Sequence, residues 1–114
     1  MTVALGVRIE LYSNDKLHTA YLREDLQAAA APRAGEFFAP GALGQAAEPV
    51  IGLTPVVHHV EHYVVPPEGT AWPYTGGSPL LMAVVRRQDV PVERAREIEA
   101  VMDAEGWSSR MFNN

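Results

Sequence analysis

Three of the four histidines of this 114-residue chain lie within five residues, in the run TPVVHHVEHYVV at positions 54–65. Histidine binds metal ions through its ring nitrogens and carries protons near neutral pH. Together with Glu61, the side chains of His58, His59 and His62 are candidate ligands for a divalent metal ion. His59, oriented by Glu61, is also a candidate general base. The run is therefore the first place in which to look for chemistry.

The backbone conformation of this run decides which of these side chains can act together. Its valines and tyrosine favour a strand, in which neighbouring side chains point to opposite faces. A strand separates His58 from His62 by about 13 Å and leaves His59 and Glu61 as a pair. A helix would stack His58 and His62 one turn apart, although the order H-H-V-E-H differs from the zinc motif H-E-x-x-H. The histidines have three possible roles. They are structural side chains of a sheet bonded to their neighbours, ligands of a metal ion, or acid–base or pH-sensing groups. We favour the structural role.

A second group of candidates is suited to binding a partner. Residues 66–79, PPEGTAWPYTGGSP, predict a flexible loop because prolines and glycines interrupt the segment. Long loops often bind partners, and tryptophan, tyrosine and arginine dominate the energetics of interfaces. Trp72 and Tyr74 are therefore candidate binding residues, with folding back of Trp72 onto the core as the alternative. Arg86 and Arg87 could contact an acidic partner, or pair with the glutamates of the following segment.

Composition excludes several classes of function. The chain contains no cysteine, which removes thiol nucleophiles, thiolate metal sites and disulfides and suits a cytoplasmic protein. A net charge of −5 with nine basic residues disfavours nucleic acid as a partner. The N-terminal residues lack the pattern of a secretory signal. No stretch approaches the roughly 18 apolar residues of a membrane span, so we expect no membrane contact.

The first half of the chain predicts strands. Apolar and polar residues alternate from Val3 to Leu11, which is typical of a half-buried strand. A turn at residues 13–16 precedes a return strand over about 16–22, which places His18 on the face opposite Thr19. A short helix over about 24–30 is then expected before Pro32. Residues 50–65 predict one long strand or two shorter strands.

The second half predicts a strand and a helix. Leu80–Arg86 is a short apolar run typical of a buried strand. A helix is expected over about 91–105, with Gly106 as its C-terminal stop. Trp107 then follows where it can fold back onto Met102, and residues 108–114 are expected to fray.

These elements predict a single α+β domain over residues 1–114. The sheet is expected to be small and antiparallel, or a partly open, SH3-like β-barrel, with about five strands and a C-terminal helix. No catalytic motif is present, so no catalytic residue is assigned and no cofactor is expected apart from the candidate metal. The favoured function is a non-enzymatic accessory module that contacts a protein partner or forms a homodimer through a strand edge. The rival functions are a small metal-dependent or histidine-based enzyme centred on residues 58–62, and a nucleic-acid-associated protein that uses the arginines.

Overall fold

A computed structural model describes residues 2–64 and 80–111 of the chain. No helix in these ranges is long and apolar enough to cross a membrane. The elements, in chain order, are strands β1 (Val3–Ser13) and β2 (Lys16–Ala28), helix α1 (Glu48–Ile51), strands β3 (His59–Tyr63) and β4 (Leu80–Arg87), a 3-10 turn (Val92–Arg94), helix α2 (Ala95–Ala104) and strand β5 (Ser108–Met111).

The strands form one open, mixed sheet in the order β3-β4-β1-β2-β5. β1 and β2 form a hairpin, and its turn residues Asn14 and Asp15 adopt positive φ angles of 52° and 62°, which Asn and Asp tolerate better than most residues. β4 lies beside β1 and runs parallel to it, whereas the other pairs are antiparallel. The prediction of an antiparallel sheet is therefore wrong for this pair. The α+β class and the C-terminal helix are confirmed, but the sheet is not closed and an SH3-like barrel is not confirmed.

Three segments differ from the sequence-based expectation. β2 continues to Ala28, where a helix was predicted, because its second half pairs with the start of β1 through Leu5–Leu26 and Val3–Ala28. Residues 50–65 do not form one strand, since α1 occupies their start and β3 begins only at His59. Ser108–Met111, within the stretch expected to fray, forms β5 on the edge of β2. In the two strand segments, pairing with a neighbour outweighs local propensity.

The main hydrophobic core lies on one face of the sheet, beneath the two helices. Alternate residues of β1 point into it, and Ile98 and Met102 come from the apolar face of α2. Its largest fully buried members include Ile9, Leu11, Ile51, Met102, Val7, Val57 and Val85. The predicted loop at 66–79 lies outside the described residues.

The end of α2 has the capping geometry that the sequence predicts. The amide of Gly106 donates to the carbonyl of Asp103 at 3.0 Å, and the amide of Trp107 donates to that of Met102 at 3.0 Å. These two bonds define a Schellman motif, which requires a left-handed residue after the C-cap, and Gly106 has φ of 92°. The Trp107 side chain is consequently buried in the core with Met102.

We predict that Gly106→Ala lowers the free energy of unfolding by about 1 kcal/mol, because an alanine side chain disfavours positive φ. Gly106→Asn should lower the free energy of unfolding by less, since asparagine tolerates this backbone region. Urea denaturation of the three proteins measures both differences. Equal losses for the alanine and asparagine variants would contradict a conformational origin.

Candidate functional site

The face of the sheet opposite the main core carries a polar network with an apolar floor. Period-two alternation places Arg8 and Glu10 of β1 on this face. Glu61 of β3 and Arg86 of β4 reach the same network. Beneath the polar groups lies a smaller hydrophobic cluster of Leu22, Leu80, Met82 and Val84, with Tyr63 packed against it.

Arg8 is the centre of this network. Its Nη1 and Nη2 atoms each donate to one carboxylate oxygen of Glu61 at 2.8 Å, and its Nε donates to Glu10 at 2.9 Å. Because β4 lies between β1 and β3, the Arg8–Glu61 pair crosses over β4. Met82 and Val84 of β4 are 0% exposed. The side-chain bridge thus passes over the strand whose residues form the apolar floor.

A chain of hydrogen bonds runs from Arg86 through both histidines to Glu61. Arg86 Nη1 lies 3.2 Å from His58 Nε2, the two Nδ1 atoms of His58 and His59 are 2.7 Å apart, and His59 Nε2 lies 2.9 Å from Glu61 Oε2. Arginine can only donate and an ionised carboxylate can only accept. His58 therefore accepts at Nε2 and donates from Nδ1, while His59 accepts at Nδ1 and donates from Nε2. Every bond is satisfied with both rings neutral.

The network closes into a ring at Glu10. Arg86 Nε donates to Glu10 Oε1 at 3.0 Å, and Tyr12 adds a hydroxyl bond of 3.1 Å to the same oxygen. Arg86 also stacks over the Tyr12 ring, 5.5 Å from its centroid. Two arginines and two glutamates balance in charge, as buried or partly buried ions require.

The geometry shifts the pKa values of several network members, among them Glu61, Arg8 and Tyr63. The hydrogen bonds from Arg8 lower the pKa of Glu61 to about 2, against the raising effect of its burial, and bonds from His59 and Tyr63 lower it further. Burial alone would lower the pKa of Arg8, but the bonds to Glu61 and the nearby carboxylates raise it. Burial, then the bond to Glu61, raises the pKa of Tyr63. Glu61 and Arg8 are therefore charged at neutral pH.

The structure brings together three of the four candidate metal ligands. Val57 and Val60 both pack against the main core, so alternation breaks between them and both His58 and His59 reach the network face. His62 is exposed and occupies the opposite face from Glu61, one residue along the strand. In residues 2–64 and 80–111, no three His, Cys, Asp or Glu side chains form a group that could hold a metal ion.

Binding of a divalent metal by His58, His59, Glu61 and His62 stays a prediction from sequence. Whether His59 can act as a general base depends on which of its ring nitrogens is available to a substrate. Both ring nitrogens of His59 are engaged, one by His58 and one by Glu61. A general base needs a nitrogen within reach of the proton that it removes. This arrangement favours a structural role for the histidines, which order residues 58–61 and contact β4 through the bond between His58 and Arg86.

Of the four candidate binding residues, the structure describes two, Arg86 and Arg87, and their side chains make different contacts. Arg86 belongs to the network, while Arg87 donates to the carbonyl of Val50 at 3.0 Å. Both arginines line a groove beside residues 51–56. Trp72 and Tyr74 lie outside the described residues, and their binding role stays a prediction.

Sequence reasoning missed four members of the network: Arg8, Glu10, Tyr12 and Tyr63. The alternation of β1 did place the first three on one face. What the sequence lacked was the strand order, since only the neighbouring β4 and β3 supply their partners.

No protein-family model matches this chain, and no curated protein or solved structure matches it either. The functional argument therefore depends on this geometry alone.

The lowered pKa of Glu61 predicts a specific loss of stability in acid. A carboxyl whose folded pKa is depressed stabilises the fold above its unfolded value and loses that contribution as pH falls through the folded value. For Glu61 this window runs from its ordinary 4.5 down to about 2. Glu61→Gln should lower the free energy of unfolding at pH 7 by about 1–3 kcal/mol. The free energy of unfolding of this variant should also depend less steeply on pH within the window. Urea denaturation at several pH values measures this.

Glu93→Gln is the matched control, because Glu93 is exposed in the 3-10 turn. Its free energy of unfolding should depend on pH in the same way as that of the unmodified protein. An identical pH profile for Glu61→Gln and the unmodified protein would contradict the assignment of this window to Glu61.

Proposed function

We propose that the protein is a non-enzymatic accessory module that binds a protein partner through an apolar patch formed by Phe37, Leu53 and Val56. These three side chains are 66%, 60% and 53% exposed, respectively. Isolated exposed hydrophobic residues are common on proteins, whereas grouped ones mark interaction surfaces. The exposed pairing of Phe37 with Val56 is the observation that carries the proposal.

The backbone holds this patch in place. Phe37 and Val56 are opposite partners in an antiparallel bridge, so their side chains share one face at close range. Flanking bonds of 2.9 Å from the Phe38 amide to Pro55 and 2.8 Å from the Val57 amide to Glu36 secure the two segments. A surface that is already ordered loses less conformational entropy when a partner binds.

The groove beside the patch suggests the charge of the partner. Leu53 and Val56 line it together with Arg86 and Arg87, and no acidic residue is among its described lining residues. Arg87 donates to a carbonyl, so its positive charge is not offset by that bond. A partner segment with apolar side chains next to an acidic one fits this combination.

Two further elements of the proposal come from the sequence. Trp72 and Tyr74 could extend the contact surface, as aromatic residues often do at interfaces. A second copy of the chain is an alternative partner, which light scattering coupled to size-exclusion chromatography distinguishes from a different protein.

Quantitative pull-down from the native host tests the patch directly. We predict that Phe37→Ser combined with Val56→Thr reduces recovery of a specific partner by roughly tenfold or more, the scale of losing interface anchors. Val64→Thr is the control, because Val64 is 65% exposed but lies beyond the other end of β3. Its recovery should be unchanged, and circular dichroism should show all variants folded.

The same assay separates the patch from the loop. Trp72→Ala combined with Tyr74→Ala should weaken recovery if the loop contributes. Recovery that is equal for the unmodified protein and the patch variant would overturn the proposed surface.

A further inference from the structure

The bridge between Phe37 and Val56 leaves an outer edge on residues 36–38. The two backbone hydrogen bonds that hold the bridge come from the residues on either side of this pair, not from Phe37 or Val56 themselves. Such a pair is of the non-hydrogen-bonded kind in an antiparallel ladder. Because backbone groups alternate in direction along a strand, the amide and carbonyl of Phe37 point outward, away from Val56.

Phe37 has a backbone donor and acceptor without partners. In the described part of the chain, neither its amide nor its carbonyl makes a hydrogen bond, and the residue is 66% exposed. An exposed strand edge of this kind pairs with another extended chain. The edge is short, because Gly35 turns the chain with a φ of 87° and Pro40 has no amide to donate. It therefore offers one full hydrogen-bonded pair, at Phe37.

A groove beside this edge has room for an extended segment. Its volume is about 550 Å³, which is within the range of binding sites in proteins. Phe37 belongs to its wall, together with the small apolar residues at positions 29–32. Short side chains allow the backbone of a bound segment to approach closely.

The charge of the groove favours an acidic segment. Its charged lining residues are Arg33 and Glu36. The carboxylate of Glu36 accepts a bond of 2.6 Å from the backbone amide of Arg33, whereas the Arg33 guanidinium forms no ion pair with any described residue. On the other side of the bridge, the groove at Arg87 has no carboxylate among its described lining residues. This local positive charge, on a chain of net charge −5, complements an acidic partner.

We propose that an extended, acidic segment of the partner adds to this edge as a β-strand, an inference that rests on the function proposed above. The central residue of the segment donates from its amide to the Phe37 carbonyl and accepts from the Phe37 amide, as in other cases of strand addition. Its side chain is apolar and packs beside Phe37 on the face of the patch. A carboxylate of the segment pairs with Arg33.

The capped peptide acetyl-Glu-Thr-Val-Thr-Glu-amide, titrated into isotope-labelled protein and followed by amide NMR, tests the proposal. Saturable shifts should include residues 36–38 and 55–57. N-methylation of the central valine removes the donor to the Phe37 carbonyl and should weaken binding by roughly tenfold. N-methylation of the following threonine is the control, because its amide faces away from the edge. It should change the affinity by less than about twofold.

Hydrogen exchange of the Phe37 amide provides a second readout. In the free protein this amide should exchange faster than that of Phe38, which is bonded to the carbonyl of Pro55. Saturation with the peptide should slow exchange at Phe37 several-fold, and unchanged exchange would overturn the proposal. If the free protein is a dimer in which the Phe37 amide is already protected, a second copy occupies the edge, which would also overturn it.

The acidic character of the segment is tested separately. A peptide with glutamine in place of both glutamates should bind several-fold more weakly at low ionic strength. Arg33→Gln should weaken binding of the original peptide by a similar factor. Arg96→Gln is the matched control, because Arg96 is exposed on α2 and lines neither groove. Equal affinity for the two peptides, or no effect of Arg33→Gln, would overturn the proposal.

Failure of strand addition is distinguishable from failure of the proposed function. If the double variant of Phe37 and Val56 loses the partner but both N-methylated peptides bind equally well, the patch stands and strand addition is wrong. Absence of saturable shifts with the peptide has the same meaning. If the double variant recovers the partner as well as the unmodified protein does, the patch itself is wrong, and strand addition falls with it.

Discussion

The bidentate pair between Arg8 and Glu61 is the interaction on which the second face of the sheet depends. It joins β1 to β3 across the intervening β4, with N–O distances of 2.8 Å. A partly buried guanidinium is costly unless its hydrogen bonds are made, and Glu10 supplies the remaining carboxylate. β3 forms only five residues of ladder with β4. The pair therefore adds a side-chain tie to a strand that has a short backbone attachment.

This tie also changes the interpretation of the histidines. A cluster of His58, His59 and Glu61 resembles a site for metal or acid–base chemistry when only residue types are considered. In the structure, the two rings form a directional chain from Arg86 to Glu61. Three of their four nitrogens bond within residues 58–61, and the fourth, His58 Nε2, connects this segment to Arg86 of β4. The proposed function accordingly rests on another surface, namely the Phe37–Val56 patch.

Much of the local structure could be predicted from the sequence. The alternation of residues 3–11 predicted β1 and the shared face of Arg8 and Glu10. Gly106, followed by Trp107, predicted the end of α2. These features depend on backbone preferences within a few residues, which a sequence carries directly.

The parts that could not be predicted depend on contacts between distant segments. The end of β2 is extended because β1 pairs with it, although Ala28 and its neighbours favour a helix. The parallel pairing of β1 with β4 requires knowledge of the strand order. Between the pairs Leu11–Thr19 and Tyr12–Leu17, the ladder skips His18. His18 and Thr19 therefore line the same cavity, although alternation along β2 alone predicts opposite faces.

A double-mutant cycle with Arg8→Met and Glu61→Gln tests most directly whether this pair holds the network together. Urea denaturation of the four proteins at pH 7 should give a coupling free energy of about 1.5–3 kcal/mol, since contacting residues in one network couple on this scale. The control cycle, Arg94→Met with Glu97→Gln, concerns an exposed pair at 3.3 Å and should give about 0.5 kcal/mol or less. Additive effects of Arg8→Met and Glu61→Gln would contradict the account.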